Sequence, residues 1–143
     1  MRLARRGFAL AAFATLTLVA ACGSDSNDNG GGTAQDLSGT YSLVKFEQQI
    51  SGTYTEIPGV TGSFVLTATT YSLTVSNIPV IGSISDEGTY TAVGTPTSGE
   101  FTQTSTVGGS QATGTYSYDT ATGILVLTTV VNGVSQRVTV QKA

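Results

Sequence analysis

The chain has 143 residues, of which 39% are hydrophobic, 8% aromatic and 10% charged, with one cysteine and neither histidine nor tryptophan. Soluble domains average about 25% charged residues, so the composition lacks the basic surface that nucleic acid demands. Without histidine and with a single thiol, the common zinc sites, the Ser-His-Asp and Cys-His nucleophiles, a histidine base and any intrachain disulfide are excluded. No catalytic residue, metal or cofactor is therefore expected.

At the start, Arg2, Arg5 and Arg6 precede an uncharged stretch from Gly7 to Ala21. A basic opening, an apolar centre and small residues at the end make an export signal. The apolar run is too short for the ~20 residues of a membrane-spanning helix. Val19-Ala20-Ala21-Cys22 resembles the lipobox of bacterial lipoproteins, in which an aliphatic residue and small ones precede the acceptor thiol. The resemblance implies that residues 1–21 are removed and that Cys22 is acylated, which anchors the chain to a membrane and accounts for an unpaired thiol. Two or more acyl chains hold stably where one is marginal. Gly23 stands where an aspartate, in some bacteria, retains a lipoprotein at the inner membrane, so the expected destination is the outer membrane. The alternative is an ordinary signal peptide followed by a free or buried Cys22.

Removal of the signal leaves Lys45, Arg137 and Lys142 against nine acidic residues, a net charge of −6. Charge should not hold such a chain to anionic headgroups. Residues 22–36 are Cys22 followed mostly by glycine, serine, asparagine and aspartate, with no large apolar side chain. They read as the lipidated cysteine and a flexible tether with an r.m.s. reach of about 20 Å. Asp25, Asn27, Asn29 and Gly30 have the spacing of a calcium loop, but no helical pattern flanks them and the tether composition explains them.

From residue 37 to 143 threonine, valine, tyrosine and isoleucine dominate, and glycine recurs at short intervals. That is the composition of a β domain. The predicted strands are Thr40 to Gln48, Thr53 to Ile57, Ser63 to Ala68, Thr70 to Ser76, Gly88 to Val93, Glu100 to Val107, Ala112 to Tyr118, Ile124 to Val131 and Val134 to Gln141. Phe64, Leu66 and Ala68 share one face, as do Tyr71, Leu73 and Val75. In the next clear case Thr102, Thr104 and Thr106 face out, with Phe101, Gln103, Ser105 and Val107 opposite. Asn132-Gly133 predicts a two-residue type I′ hairpin, and Asp119 to Gly123 another short turn. Asp86-Glu87 beside Gly88 reads as a solvated turn. Ser42 and Lys45 have the Ser-x-x-Lys spacing of penicillin-recognising enzymes, but on a regular strand residues three apart face opposite ways.

Short connections predict an antiparallel up-and-down meander of about eight or nine strands. Closure into a barrel would remove its two exposed edges; a β-sandwich is the alternative fold.

Leu37-Ser38-Gly39-Thr40-Tyr41, with the later echoes Gly88-Thr89-Tyr90 and Gly114-Thr115-Tyr116, is similar to the strand starts of lipocalins and their small bacterial lipocalin-like relatives. The resemblance implies a barrel shaped as a cup for a small apolar molecule. It also implies that a basic residue of the last strand, Arg137, stacks on the first-strand aromatic ring, Tyr41. The candidate cavity-lining residues are Phe64, Leu66, Leu73, Val75, Tyr90, Phe101, Tyr116 and Tyr118. A non-catalytic structural or protein-interaction domain with a filled core is the alternative function. Glu47, Glu56, Asp86, Glu87, Glu100 and Asp119 are mostly expected at strand ends or in loops, without partners that would make an enzyme.

Overall fold

The structure, a computed structural model, describes residues 32–143. The export signal, Cys22 and most of the tether lie outside the described residues. Ten strands follow in order: β1 Thr33–Ala34, β2 Gly39–Ile50, β3 Thr53–Glu56, β4 Thr61–Leu66, β5 Thr70–Ile78, β6 Gly82–Gly94, β7 Ser98–Ser105, β8 Gln111–Asp119, β9 Ile124–Val131 and β10 Val134–Lys142. Every pairing is antiparallel, and the ring β2-β4-β5-β6-β7-β8-β9-β10 closes when β10 pairs with β2. The fold is a closed eight-stranded up-and-down barrel with β1 and β3 added. One continuous ring of hydrogen bonds leaves no second sheet, so the sandwich is excluded.

β3 pairs with residues 47–50 of β2, and β4 with residues 39–42. The two therefore form one stave, interrupted at Ile57-Pro58-Gly59-Val60, where the Ile57 amide still donates to the Phe46 carbonyl at 2.9 Å. Alternation puts Phe64, Leu66, Tyr71, Tyr90, Phe101, Tyr116, Leu125 and Val140 in the buried core, while threonines and serines dominate the outer face. This is apolar-in and polar-out, the inverse of a lipid-facing barrel. Two of the three turn expectations are met: Asn132 and Gly133 have φ of 50° and 79°, as a type I′ hairpin requires, and the Asp119 carboxylate accepts from the Ala121 amide at 2.9 Å.

Five expectations need correction. Val107, placed on the inner face with Phe101, is exposed beyond the end of β7, where its amide donates to the Ser105 hydroxyl and the chain turns. Asp86-Glu87 is not a turn; β6 begins at Gly82 and carries both residues mid-strand, because the Asp86 side chain turns inward onto two hydroxyls. The stave containing Phe64 ends at Leu66, and Ala68 lies exposed in a turn organised by Thr67 and Thr70. Thr33 to Gln35, read as tether, are laid along β6, with the Gln35 amide donating to the Ala92 carbonyl at 2.8 Å. In β2 the register slips between Leu43 and Lys45, so the extra residue Val44 rephases the strand. Lys45 thereby joins Ser42 on the outer face and pairs with Glu47.

The Gly-Thr-Tyr repeats have a physical basis. In each, the threonine is exposed and the tyrosine ring fills the barrel, its hydroxyl donating to a backbone carbonyl: Tyr41 to Leu37 at 2.8 Å, Tyr90 to Thr67 at 2.6 Å, and Tyr116 to Thr95. Burial pushes the Tyr41 phenol up to about 12. In the second and third repeats the glycine two positions earlier lets the neighbouring stave come close. A Cβ at Gly114 would sit 1.8 Å from the Thr128 carbonyl oxygen, and one at Gly88 2.0 Å from that of Thr104. These three carbonyl-bound tyrosines plug the end of the barrel that holds the β4–β5, β6–β7 and β8–β9 turns.

Gly114→Ala is expected to cost about 1–3 kcal/mol, since backbone must move. Gly108→Ala, where a Cβ meets nothing within 4 Å, should shift the denaturant midpoint little; equal losses at both positions would contradict the close-approach role.

Candidate functional site

Above the tyrosine floor the barrel is hollow. A cavity of about 170 Å³ opens toward the β5–β6, β7–β8 and β9–β10 connections, lined by Phe46, Phe64, Leu73, Val75, Ile84, Asp86, Gln103, Leu127, Thr129, Val131, Gln136 and Val138. Seven of the eight barrel staves contribute, all but β8. The wall is therefore mostly aliphatic and aromatic, with four polar side chains at separate points.

Of the candidates read from sequence, Phe64, Leu73 and Val75 line this cavity. Leu66, Tyr90, Phe101 and Tyr116 do not: they are buried in the packed lower half, where the Tyr90 and Phe101 rings stack with centroids 5.5 Å apart. Tyr118 is half-buried against the same cluster. Tyr41, Tyr90, Phe101 and Tyr116, all buried, fill the lower half, whereas the residues around the mouth leave space open.

Phe46, Leu127 and Val138 are not among the candidate lining residues read from sequence, and of the polar groups of the wall the alternation places only Gln103 on an inward face. The Val44 bulge conceals the phase of Phe46, and the unbroken apolar run of β9 conceals which of its residues face inward. Asp86 is the most informative omission. Its carboxylate accepts from the Tyr71 hydroxyl at 2.7 Å and from the Ser105 hydroxyl, and Ser105 in turn accepts from the Val107 and Gly108 amides. Burial, followed by the bond to Asp86, pushes the Tyr71 phenol up.

Behind the cavity wall, on the outer face, lies a charged cluster that joins three staves. Glu47 of β2 is only 4% exposed, because Arg137 of β10 grips it with two bonds, from Nε at 2.7 Å and Nη2 at 2.8 Å. Lys45 stands 3.1 Å from the same carboxylate. The Arg137 guanidinium also stacks 4.4 Å from the ring centroid of Tyr54 on β3. The expected Tyr41–Arg137 stack is thus corrected. Arg137 sits beside Glu47 in the β10–β2 register, whereas the partner of Tyr41 is Lys142, whose ammonium lies 5.9 Å above the Tyr41 ring and donates to the Ser38 carbonyl at 2.8 Å. Glu47 and Asp86, expected without partners, are both held mid-strand. Among the described residues no group of acidic or thiol side chains is placed to hold a metal.

No family model and no curated protein matches the chain. Among solved structures, a redesigned β-barrel is similar, at 19% identity and a TM-score of 0.47, over 75% of this chain and 91% of that one.

The Arg137 bonds, with help from Lys45, hold the Glu47 carboxyl at about 2 against an ordinary 4.5. A depressed carboxylate adds stability above its unfolded pKa and loses it as pH falls through the folded value. The denaturant midpoint should therefore drop as pH falls from about 4.5 to about 2. Glu47→Gln should start lower at pH 7 and fall less steeply, keeping the slope that the depressed Asp36 and Asp119 carboxyls supply. Superimposable pH profiles would contradict this.

Proposed function

We propose that this protein is an envelope lipoprotein, held by lipid on Cys22, whose barrel carries a small apolar molecule without catalysing a reaction. The observation that carries the proposal is the mouth cavity, an apolar space bounded by seven staves. Its size limits the cargo. Drug-sized ligands occupy roughly 300–1,000 Å³, but an apolar void of about 150 Å³ accepts benzene. A cavity of about 170 Å³ suits a single ring or a short alkyl chain.

The lipid anchor is supported by the Val19-Ala20-Ala21-Cys22 pattern. The described chain also begins beside the floor, where Thr33 pairs with Gly94 at the far end of β6. Attachment from that side leaves the mouth open. A structural or protein-interaction module is the second function, favoured by the ring packing that fills the lower half.

Mass spectrometry of the protein from a bacterial envelope should find an N-terminal Cys22 bearing acyl chains, and Cys22→Ser should abolish the acylation. An unacylated chain cut elsewhere would overturn the lipoprotein assignment. For the cargo, calorimetric titration with benzyl alcohol should show one site, lost in Leu127→Trp, which fills the cavity while thermal unfolding shows the barrel intact. No heat of binding to either protein would favour the filled module instead.

A further inference from the structure

We infer that the mouth cavity selects small organic cations, an ammonium group carried on one ring or a short alkyl chain, and that Asp86 is the residue that recognises the charge. This rests on the apolar-cargo proposal and narrows it to one chemical class. Asp86 belongs to the cavity wall, among Leu73, Val75 and Ile84 of the neighbouring and same staves. A carboxylate set beside apolar side chains is costly unless compensated. Among the described residues, however, Asp86 takes part in no ion pair; the cations Lys45 and Arg137 are engaged with Glu47 and Glu56 on the outer face.

What Asp86 does have is orientation. The Tyr71 and Ser105 hydroxyls, one on each carboxylate oxygen, fix it from the two flanking staves. An ionised carboxylate has roughly four acceptor positions, and the two hydroxyls use two. The remainder can accept from an ammonium whose apolar body lies against Phe64, Leu73 and Leu127. Thr129, Gln103 and Gln136 add uncharged polar atoms to the wall and no positive charge. An anionic cargo such as a carboxylic acid would instead meet a like charge held in place.

The test is an isosteric series titrated into the purified protein at pH 7: benzylamine as its cation, benzyl alcohol as the neutral analogue and benzoate as the anion. Because a hydrogen bond to an ionised partner is the stronger kind, the cation should bind about tenfold or more tighter than the alcohol, with benzoate weakest. Asp86→Asn should bring the cation down to the level of the alcohol. Glu87→Gln, which removes an equal charge from the exposed outer face of the same stave, should preserve the preference for the cation. If the alcohol binds and the cation binds no tighter, or if Asp86→Asn keeps the preference, the inference is overturned while apolar cargo stands. If none of the three binds, apolar cargo falls with it. Should Asp86→Asn fail to fold, the order of the three ligands on the native protein decides.

Discussion

The ladder between β2 and β10 is the contact on which the remaining structure depends. Before it forms, the meander is a ribbon with two exposed edges, one near each end of the described chain, and its apolar face has nothing to pack against. Pairing Val138 with Phe46 and Lys142 with Tyr41 turns that face inward and creates an interior. The contacts that secure it are long-range in sequence, so loop-closure entropy opposes them until many form together. Glu47 and Arg137 are 90 positions apart and meet in two charge-assisted bonds. Tyr54 covers the pair from β3, which ties the interrupted stave to the seam.

Once closed, the barrel divides into two regions by side-chain volume. Three tyrosines anchored on backbone carbonyls make a solid floor, and Gly88 and Gly114, two residues before the second and third, let the wall draw tight around them. Nearer the mouth aliphatic side chains, Phe46, Phe64 and four polar groups surround a space that they do not fill. The floor is packed solid, the Glu47 cluster holds the seam from outside at the level of the cavity, and the upper wall carries a carboxylate that packing alone would disfavour. The hydroxyls of Tyr71 and Ser105 make that placement tolerable by supplying donors from both flanking staves.

Much of the fold was legible from local chemistry. Asn132-Gly133 tolerates positive φ, the alternation of Tyr71, Leu73 and Val75 fixes a face, and a long meander of short loops favours closure. The lower core was legible too, because tyrosine and phenylalanine at period two mark a buried face whatever they pack against. What could not be read was where the interior is full and where it is hollow, since that depends on which rings from distant staves meet at one level. Asp86 was misread for a related reason: an Asp-Glu-Gly triplet has the chemistry of a turn, and only the placement of Tyr71 and Ser105 makes the inward rotamer favourable. Arg137 went to Glu47 because the register at the seam sets it one step from Phe46, which no local pattern encodes.

The cavity, its carboxylate and any cargo all presuppose that the seam is closed in this register. Cross-strand nuclear Overhauser contacts test it most directly. The account expects contacts between Phe46 and Val138 and between Tyr41 and Lys142, alongside those of the adjacent β9–β10 hairpin such as Leu127 with Val138. Hairpin contacts present with both seam contacts missing would mean that the ribbon stays open, and would contradict it.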